Sequence, residues 1–423
     1  MKRIVLLWTL FLLWPGIGYA ESLQQTIDAL PAGSELVLEP VVYHEAVSIT
    51  KPLTITGVPG TVFRVKGENP AISIENTQDV QIRNIEIEQG DTAMLIKGSE
   101  NITGEEIRIS EAGQAVEVHD SRTLTFREFS VEGITGHYSA KGNGVALYDS
   151  ADIQVSGSTI RHMRDGIYAE KTMNLQVNGN RVENSRYGVH LMYSGQADLS
   201  GNELSENVAG VMLMMTEDSR IQENVIREHT SPNASGMVLY EAQNIRVAGN
   251  RLSANALGLS LQKVENSQIE NNKFYGNQIG MEFIRSADNN DTTGNEFTGN
   301  IVQLRSDALG GVLAGNYYDD ASLLDLDEDG YGDTPYAALQ SFGQWMVRKP
   351  AYQYFIEAPA VVLLNEMDRR MNSMENPVLM DAEPLATPPS EAPGNPSVSL
   401  WRLFLGAMLL AFGGLIWKKE SAA

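Results

Sequence analysis

Apolar and polar residues alternate along this chain in short bursts, and the bursts keep a fixed beat. Leu36-Val-Leu38, Val47-Ser-Ile49 and Leu53-Thr-Ile55 come first, divided by Pro and Gly, which is the pattern of half-buried strands. A small residue followed by an apolar one then recurs every 22 residues at Ala71-Ile72, Ala93-Met94 and Ala115-Val116. After a delay of seven residues the step resumes at Gly144-Val145, Gly166-Ile167, Gly188-Val189 and Gly210-Val211. A second delay, of four, precedes Gly236-Met237, Gly258-Leu259 and Gly280-Met281. Asn180, Asn202, Asn224, Asn250, Asn272 and Asn295 keep the same time.

A unit of about 22 residues with three strand signals cannot bury its own apolar face and must stack on its neighbours. The expected fold is therefore all-β, a right-handed parallel β-helix over residues 21–316, opened by a short helix at Leu23–Leu30. A β-sandwich would show turn signals about every 8–12 residues without this strict repeat. Asn repeated at one turn suits a ladder of stacked side chains, because it tolerates left-handed backbone and bonds to turn amides. The two delays, Gly136 to Lys141 and Glu228 to Asn233, are expected as loops outside the stack, each carrying a histidine, His137 and His229.

The ends read differently. Lys2 and Arg3, an apolar run from Ile4 to Trp14, and Gly18-Tyr19-Ala20 make residues 1–20 a signal peptide. After Asn316 the repeat fades, and residues 317–380 form an extension with an acidic loop and a helix from Ala360 to Met374. Residues 381–399, rich in Pro, Ser and Ala, read as a linker. Leu400 to Trp417 is apolar, bracketed by Trp401 and Trp417 and followed by Lys418 and Lys419. That makes 400–417 a single transmembrane helix with a cytoplasmic tail, 418–423.

Charge and composition narrow the partners. With 54 acidic against 31 basic residues the net charge is -23, which repels phosphates and argues against nucleic acid. There is no cysteine, so disulfides, thiolate metal sites and thiol nucleophiles are excluded.

Strand alternation turns the repeat into a map of faces. If the residue after each Gly points inward, one outward column reads Ala146, Tyr168, His190, Met212, Val238, Ser260 and Glu282. The next reads Tyr148, Glu170, Met192, Met214, Tyr240, Gln262 and Ile284. Coils lie about 4.8 Å apart, so His190 and Met192 neighbour Met212 and Met214. An exposed patch of three thioethers and an imidazole suits Cu(I). The same methionines also fit ordinary packing beneath a covering C-terminal segment. Met94, Met215, Met237 and Met281 fall on inward or turn positions and are expected in the core.

The acidic loop has Asp325, Asp327, Asp329 and Asp333 at positions 1, 3, 5 and 9, Gly330 at 6 and Tyr331 at 7, a spacing that wraps Ca²⁺ in oxygen. Position 12 is Tyr336, so the usual bidentate Glu is missing. A solvated acidic turn is the alternative. Glycoside cleavage needs two carboxyl groups across one bond, and the two columns hold no close acidic pair. Asp149, Asp152 and Asp165 lie near turns, where such residues are common. The chain reads as no enzyme; a carbohydrate-binding or carbohydrate-cleaving β-helix is the alternative, with Tyr148, Tyr168 and Tyr240 as sugar platforms.

The segments Lys51-Pro-Leu-Thr-Ile-Thr-Gly57, Arg164-Asp-Gly-Ile-Tyr168, Arg186-Tyr-Gly-Val-His-Leu-Met-Tyr-Ser194, Gly315-Asn-Tyr-Tyr-Asp319 and Asp327-Glu-Asp-Gly-Tyr-Gly-Asp-Thr-Pro-Tyr336 resemble the NosD family. The resemblance runs from about Leu30 to Leu385. It implies a periplasmic protein that helps assemble the copper centre of nitrous oxide reductase, beside an ABC transporter permease and ATPase and a copper chaperone lipoprotein. The family motif falls on His190 and Met192; Met212 and Met214 come from coil geometry. The family is usually described as soluble, whereas this chain is expected to be held at the inner membrane by its C-terminal helix.

Overall fold

The computed structural model describes residues 22–307, 310–321, 323–338, 349–355, 358–371 and 379–389. Three sheets of 15, 13 and 12 strands, parallel except for the terminal strand Tyr336–Ala337, run the length of a right-handed solenoid of about 13 coils. Each coil gives one strand to each sheet in turn. The first sheet runs from Ser34–Val37 to Val312–Ala314, the second from Val42–Tyr43 to Tyr317–Tyr318, and the third from Val47–Ile49 to Val302–Ser306. Inward residues form one continuous core along the axis, including Ile167, Val189, Val211, Met237, Leu259 and Met281. Met94, Met237 and Met281 are core, as the alternation requires, whereas Met215 is half-buried at a left-handed turn that turns it out of the strand alternation.

Two rungs of polar side chains hold the turns. Between the first and second sheets, Asn180 Nδ2 donates to Asn202 Oδ1 at 3.1 Å, and Asn202 repeats this to Asn224 and Asn224 to Asn250, each at 2.9 Å. Each Asn oxygen also accepts the backbone N–H of the preceding rung. Turn donors buried by stacking thus have partners, and an unpaired one would cost about 1–3 kcal/mol. Between the second and third sheets a second ladder runs Ser185, Asn207, His229, Asn255, Asn277 and Asn300.

His229 corrects an expectation. It does not sit in a loop outside the stack; it is fully buried and takes an Asn place in the ladder. The insertion therefore begins after it. Imidazole Nδ1 can accept from the Asn207 N–H as an amide oxygen would, so the fold tolerates the replacement. The other insertion does leave the stack, with a single 3₁₀ turn at Tyr138–Ala140.

The repeating Gly residues mark a close approach between coils. A Cβ on Gly188 would stand 2.5 Å from the Gly210 carbonyl oxygen, and one on Gly210 would stand 2.6 Å from that of Gly236.

Both ends are closed. The helix Leu23–Ala29 starts from a Ser22–Gln25 capping box and buries Leu23 and Ile27 against the first coil. At the far end, Met380–Asp381 adds to the first sheet beside Leu313, and Tyr336–Ala337 pairs with it. Asp381 is fully buried and accepts from Asn316 N at 3.0 Å, Asn316 Nδ2 at 2.9 Å and the Tyr318 hydroxyl at 3.2 Å. The expected linker 381–399 therefore begins on the stack, because the last Asn rung has donors that only an acceptor from beyond the repeat can satisfy. The helix of the extension spans Pro359–Met371. The expected signal peptide 1–20, transmembrane helix 400–417 and tail 418–423 lie outside the described residues. Among the described residues no helix is long and apolar enough to cross a membrane.

Candidate functional site

Both outward columns of the third sheet form in the expected register. Tyr168, His190, Met212, Val238, Ser260 and Glu282 are successive partners, and so are Glu170, Met192, Met214, Tyr240, Gln262 and Ile284. His190 and Met192 therefore lie one coil from Met212 and Met214.

The patch is not exposed, which corrects the expectation. His190 is 5% exposed, and Met192, Met212 and Met214 are half-buried. Tyr168, Val238, Ser260 and Glu282 in the same column are buried too. On the same sheet, Tyr352 of the C-terminal extension packs with Leu257, Ile279 and Val302. Around His190 the cover is aromatic: the rings of Tyr168 and Tyr187 lie edge-on at 5.0 and 4.9 Å.

The residue that organises the site is Asp165, one coil before His190 and fully buried. It is not part of a solvated turn cluster with Asp149 and Asp152, which occupy left-handed turn positions. Arg186 donates to both Asp165 oxygens, at 2.8 and 2.6 Å, and lies over the Tyr187 ring at 4.4 Å. Burial alone would raise the Asp165 pKa, but the hydrogen bonds from His190 and Arg186 outweigh it and hold the carboxyl below its ordinary value. Burial would likewise lower Arg186, and the Asp165 carboxylate reverses that shift. The pair is an ionised carboxylate–guanidinium unit.

His190 Nδ1 lies 2.9 Å from Asp165 Oδ2. An ionised carboxylate only accepts, so Nδ1 carries a proton, and in the neutral ring Nε2 presents a lone pair. Nε2 is buried and has no hydrogen-bond partner. A carboxylate that fixes the tautomer of an imidazole and leaves its other nitrogen free is the arrangement around metal-ligating histidines. Close by, the Tyr168 hydroxyl donates to Glu170 at 2.8 Å and reaches Met192 sulfur at 3.6 Å. Burial and the Glu170 carboxylate push the Tyr168 pKa up. The donor set of one neutral imidazole and nearby thioethers fits a soft monovalent ion better than a hard divalent one.

Neither Asp165 nor Glu170 resembles one of a pair of glycosidase carboxyl groups, since the first is held by Arg186 and His190 and the second by Tyr168. Further along the face, Ser260 donates to Glu282 at 2.6 Å, and Arg305 donates to Glu282 through Nε at 2.7 Å. Arg305 sits one lattice step beyond Glu282, on a coil that lacks the Gly-apolar pair by which the sequence marks the repeat.

The acidic loop gathers Asp325, Asp327 and Asp329, whose carboxylate oxygens lie within 4.8 Å of one another. Asp325 accepts from the backbone N–H of Asp329 and Gly330, and Asp329 accepts from Tyr331 N–H. Asp333 is not in that group and accepts from Leu326 N–H at 2.7 Å. Tyr331 forms a bridge with Leu385, which fixes the loop to the closing segment.

The chain is thus a right-handed parallel β-solenoid whose third sheet carries a buried Asp–Arg–His cluster bordered by methionines. Residues 127–323 match the family model of NosD, periplasmic copper-binding protein. The matched region contains the whole cluster. A Pseudomonas aeruginosa protein named probable ABC transporter binding protein NosD is 26% identical over 119 residues, 27% of this chain and 28% of that protein. This chain therefore covers little more than a quarter of that relative. Among solved structures, two mutants of the periplasmic alginate epimerase AlgG are similar, with TM-score 0.51 and 16% and 17% identity. Each covers 69% of this chain and 81% of its own length. At that identity the likeness is one of fold.

Proposed function

We propose that this chain is a non-catalytic periplasmic accessory in building the copper centre of nitrous oxide reductase, and that it binds Cu(I) through His190, Met192, Met212 and Met214. The observation that carries the reading is the buried, partnerless Nε2 of His190, its tautomer fixed by Asp165, on a face with three thioethers. Bound there, copper would be cargo handed onward, held by soft ligands that release it to a stronger site. Asp165 and Arg186 would position the imidazole, and the Tyr168–Tyr187 cover would keep water and oxidants from the ion. The partners in this reading are an ABC transporter permease and ATPase, a copper chaperone lipoprotein and the reductase. The named relative and the family description support it. Residues 400–417 would hold the protein beside the permease at the inner membrane.

Competition for Cu(I) against a chromophoric chelator tests the site in the full chain. Loss of one tightly held ion is expected when all four ligands become Ala; unchanged stoichiometry and affinity would refute it. The Asp325–Asp329 turn is read as a separate hard-cation site for Ca²⁺, to be checked by terbium luminescence, and no saturable signal would remove it.

A further inference from the structure

Two carboxylates border the His190 face, and a free carboxylate is the wrong ligand for a soft ion. Thioethers and a neutral imidazole favour Cu(I), whereas carboxylate oxygen beside an imidazole suits divalent ions such as Zn²⁺. Raw affinity does not separate these ions, so selection rests on which donors the fold leaves free. Both carboxylates are engaged, by different partners. Asp165 accepts from Arg186 through both oxygens and from His190 Nδ1. Glu170 accepts from the Tyr168 hydroxyl at 2.8 Å.

Glu170 is the carboxylate better placed to interfere. It is the register partner of Met192, as Tyr168 is of His190, so it stands one coil, about 4.8 Å, from a thioether of the patch. It is half-buried on the same face. Tyr168 lies among all three groups: its ring meets His190 edge-on at 5.0 Å, and its hydroxyl reaches Met192 sulfur at 3.6 Å as well as Glu170. The ring is held between His190 and Tyr148, the latter at 5.6 Å, which aims the hydroxyl.

That hydroxyl has one proton to give. A carboxylate accepts a hydrogen bond far more strongly than a thioether, so the proton goes to Glu170 and the Met192 sulfur keeps its lone pairs. The same contact thus engages the hard donor and leaves the soft one free. We propose that Tyr168 sets the metal selectivity of the His190 face, its hydroxyl holding Glu170 as a hydrogen-bond acceptor and so keeping a hard oxygen out of a soft donor set. The inference rests on the Cu(I) reading of that face. Tyr168 is a positioning residue, acting through Glu170 and not as a ligand.

Chelator competition on the full chain, run anaerobically with Cu(I) and separately with Zn²⁺, tests this in wild type, Y168F, E170Q, Y168F/E170Q and H190A. Y168F removes the hydroxyl and keeps the ring, and its Zn²⁺ affinity should rise about 10-fold or more. The double variant should return to the wild-type value, and E170Q alone should differ little from wild type. A gain in affinity that a second substitution cancels is a coupling between the two residues and not a loss of fold. If H190A abolishes Cu(I) binding but Zn²⁺ affinity is unchanged in Y168F, or raised equally in the double variant, the selectivity role is overturned and the copper reading stands. Wild type holding no His190-dependent Cu(I) would overturn both.

Discussion

His229 offers the sharpest test of how the stack is held. It fills an Asn place in the second ladder, where its Nδ1 accepts the Asn207 N–H at 2.9 Å and its own N–H reaches Asn255 Oδ1 at 3.1 Å. Burial pushes its pKa from the ordinary 6.5 down to about 4. The native imidazole is therefore neutral, and protonation would put a hydrogen on the nitrogen that accepts from Asn207. Between pH 6.5 and about 4 the unfolded chain binds a proton that the folded chain does not. Stability from this group is full above pH 6.5 and is lost as pH falls to about 4. At about 1.4 kcal/mol per pH unit the loss is roughly 3 kcal/mol, most of it reached by pH 4.5. H229N restores the residue found at neighbouring rungs and removes the titration. Urea unfolding of both proteins at pH 7.5, 6.5, 5.5 and 4.5 isolates the effect, because carboxylate titrations are common to the pair and cancel. The wild type should lose about 2–3 kcal/mol more than H229N across that range. Hydrogen exchange at the Asn207 amide gives a local readout, which matters because solenoid coils can open without global unfolding. A stability difference that stays constant with pH would refute the assignment of a neutral, ladder-bearing histidine.

The remaining predictions concern the closure, the coil spacing and the site. D381A removes the acceptor of the last Asn rung and leaves buried donors on Asn316 and Tyr318 without a partner; it should cost about 3 kcal/mol or more, with faster hydrogen exchange concentrated in residues 312–318. G188A places a methyl 2.5 Å from a backbone oxygen of the next coil and should destabilise by about 2 kcal/mol or more in denaturant unfolding, whereas open Gly201 has nothing within 4 Å and lacks that clash. D165N deprives His190 and Arg186 of their shared carboxylate, and Cu(I) affinity should fall about 10- to 100-fold in chelator competition, with a smaller fall for R186K.

Much of the fold was legible because a solenoid writes its period into the chain. Gly-apolar pairs and Asn residues recur at 22 since the same turn must be solved in each coil, and alternation then assigns faces. That reasoning placed His190 beside Met212 and Met192 beside Met214. It failed where one residue could do another's work. His229 looked like a loop residue because its chemistry as an Asn substitute shows only when its ring meets the Asn207 amide. Asp381 looked like the start of a linker because its partner, Asn316, lies 65 positions away.

The coil, the register and the identity of the outward columns follow from periodicity and local turn chemistry, and the chain alone carries both. Which outward residues are covered and which carboxylate fixes the imidazole depend on the folded stack. Burial and pairing of this kind arise between residues that chain spacing does not tie together. Asp165 shows the difference: along the chain it is one more acid before a Gly, and in the stack it is the buried charge that orients His190.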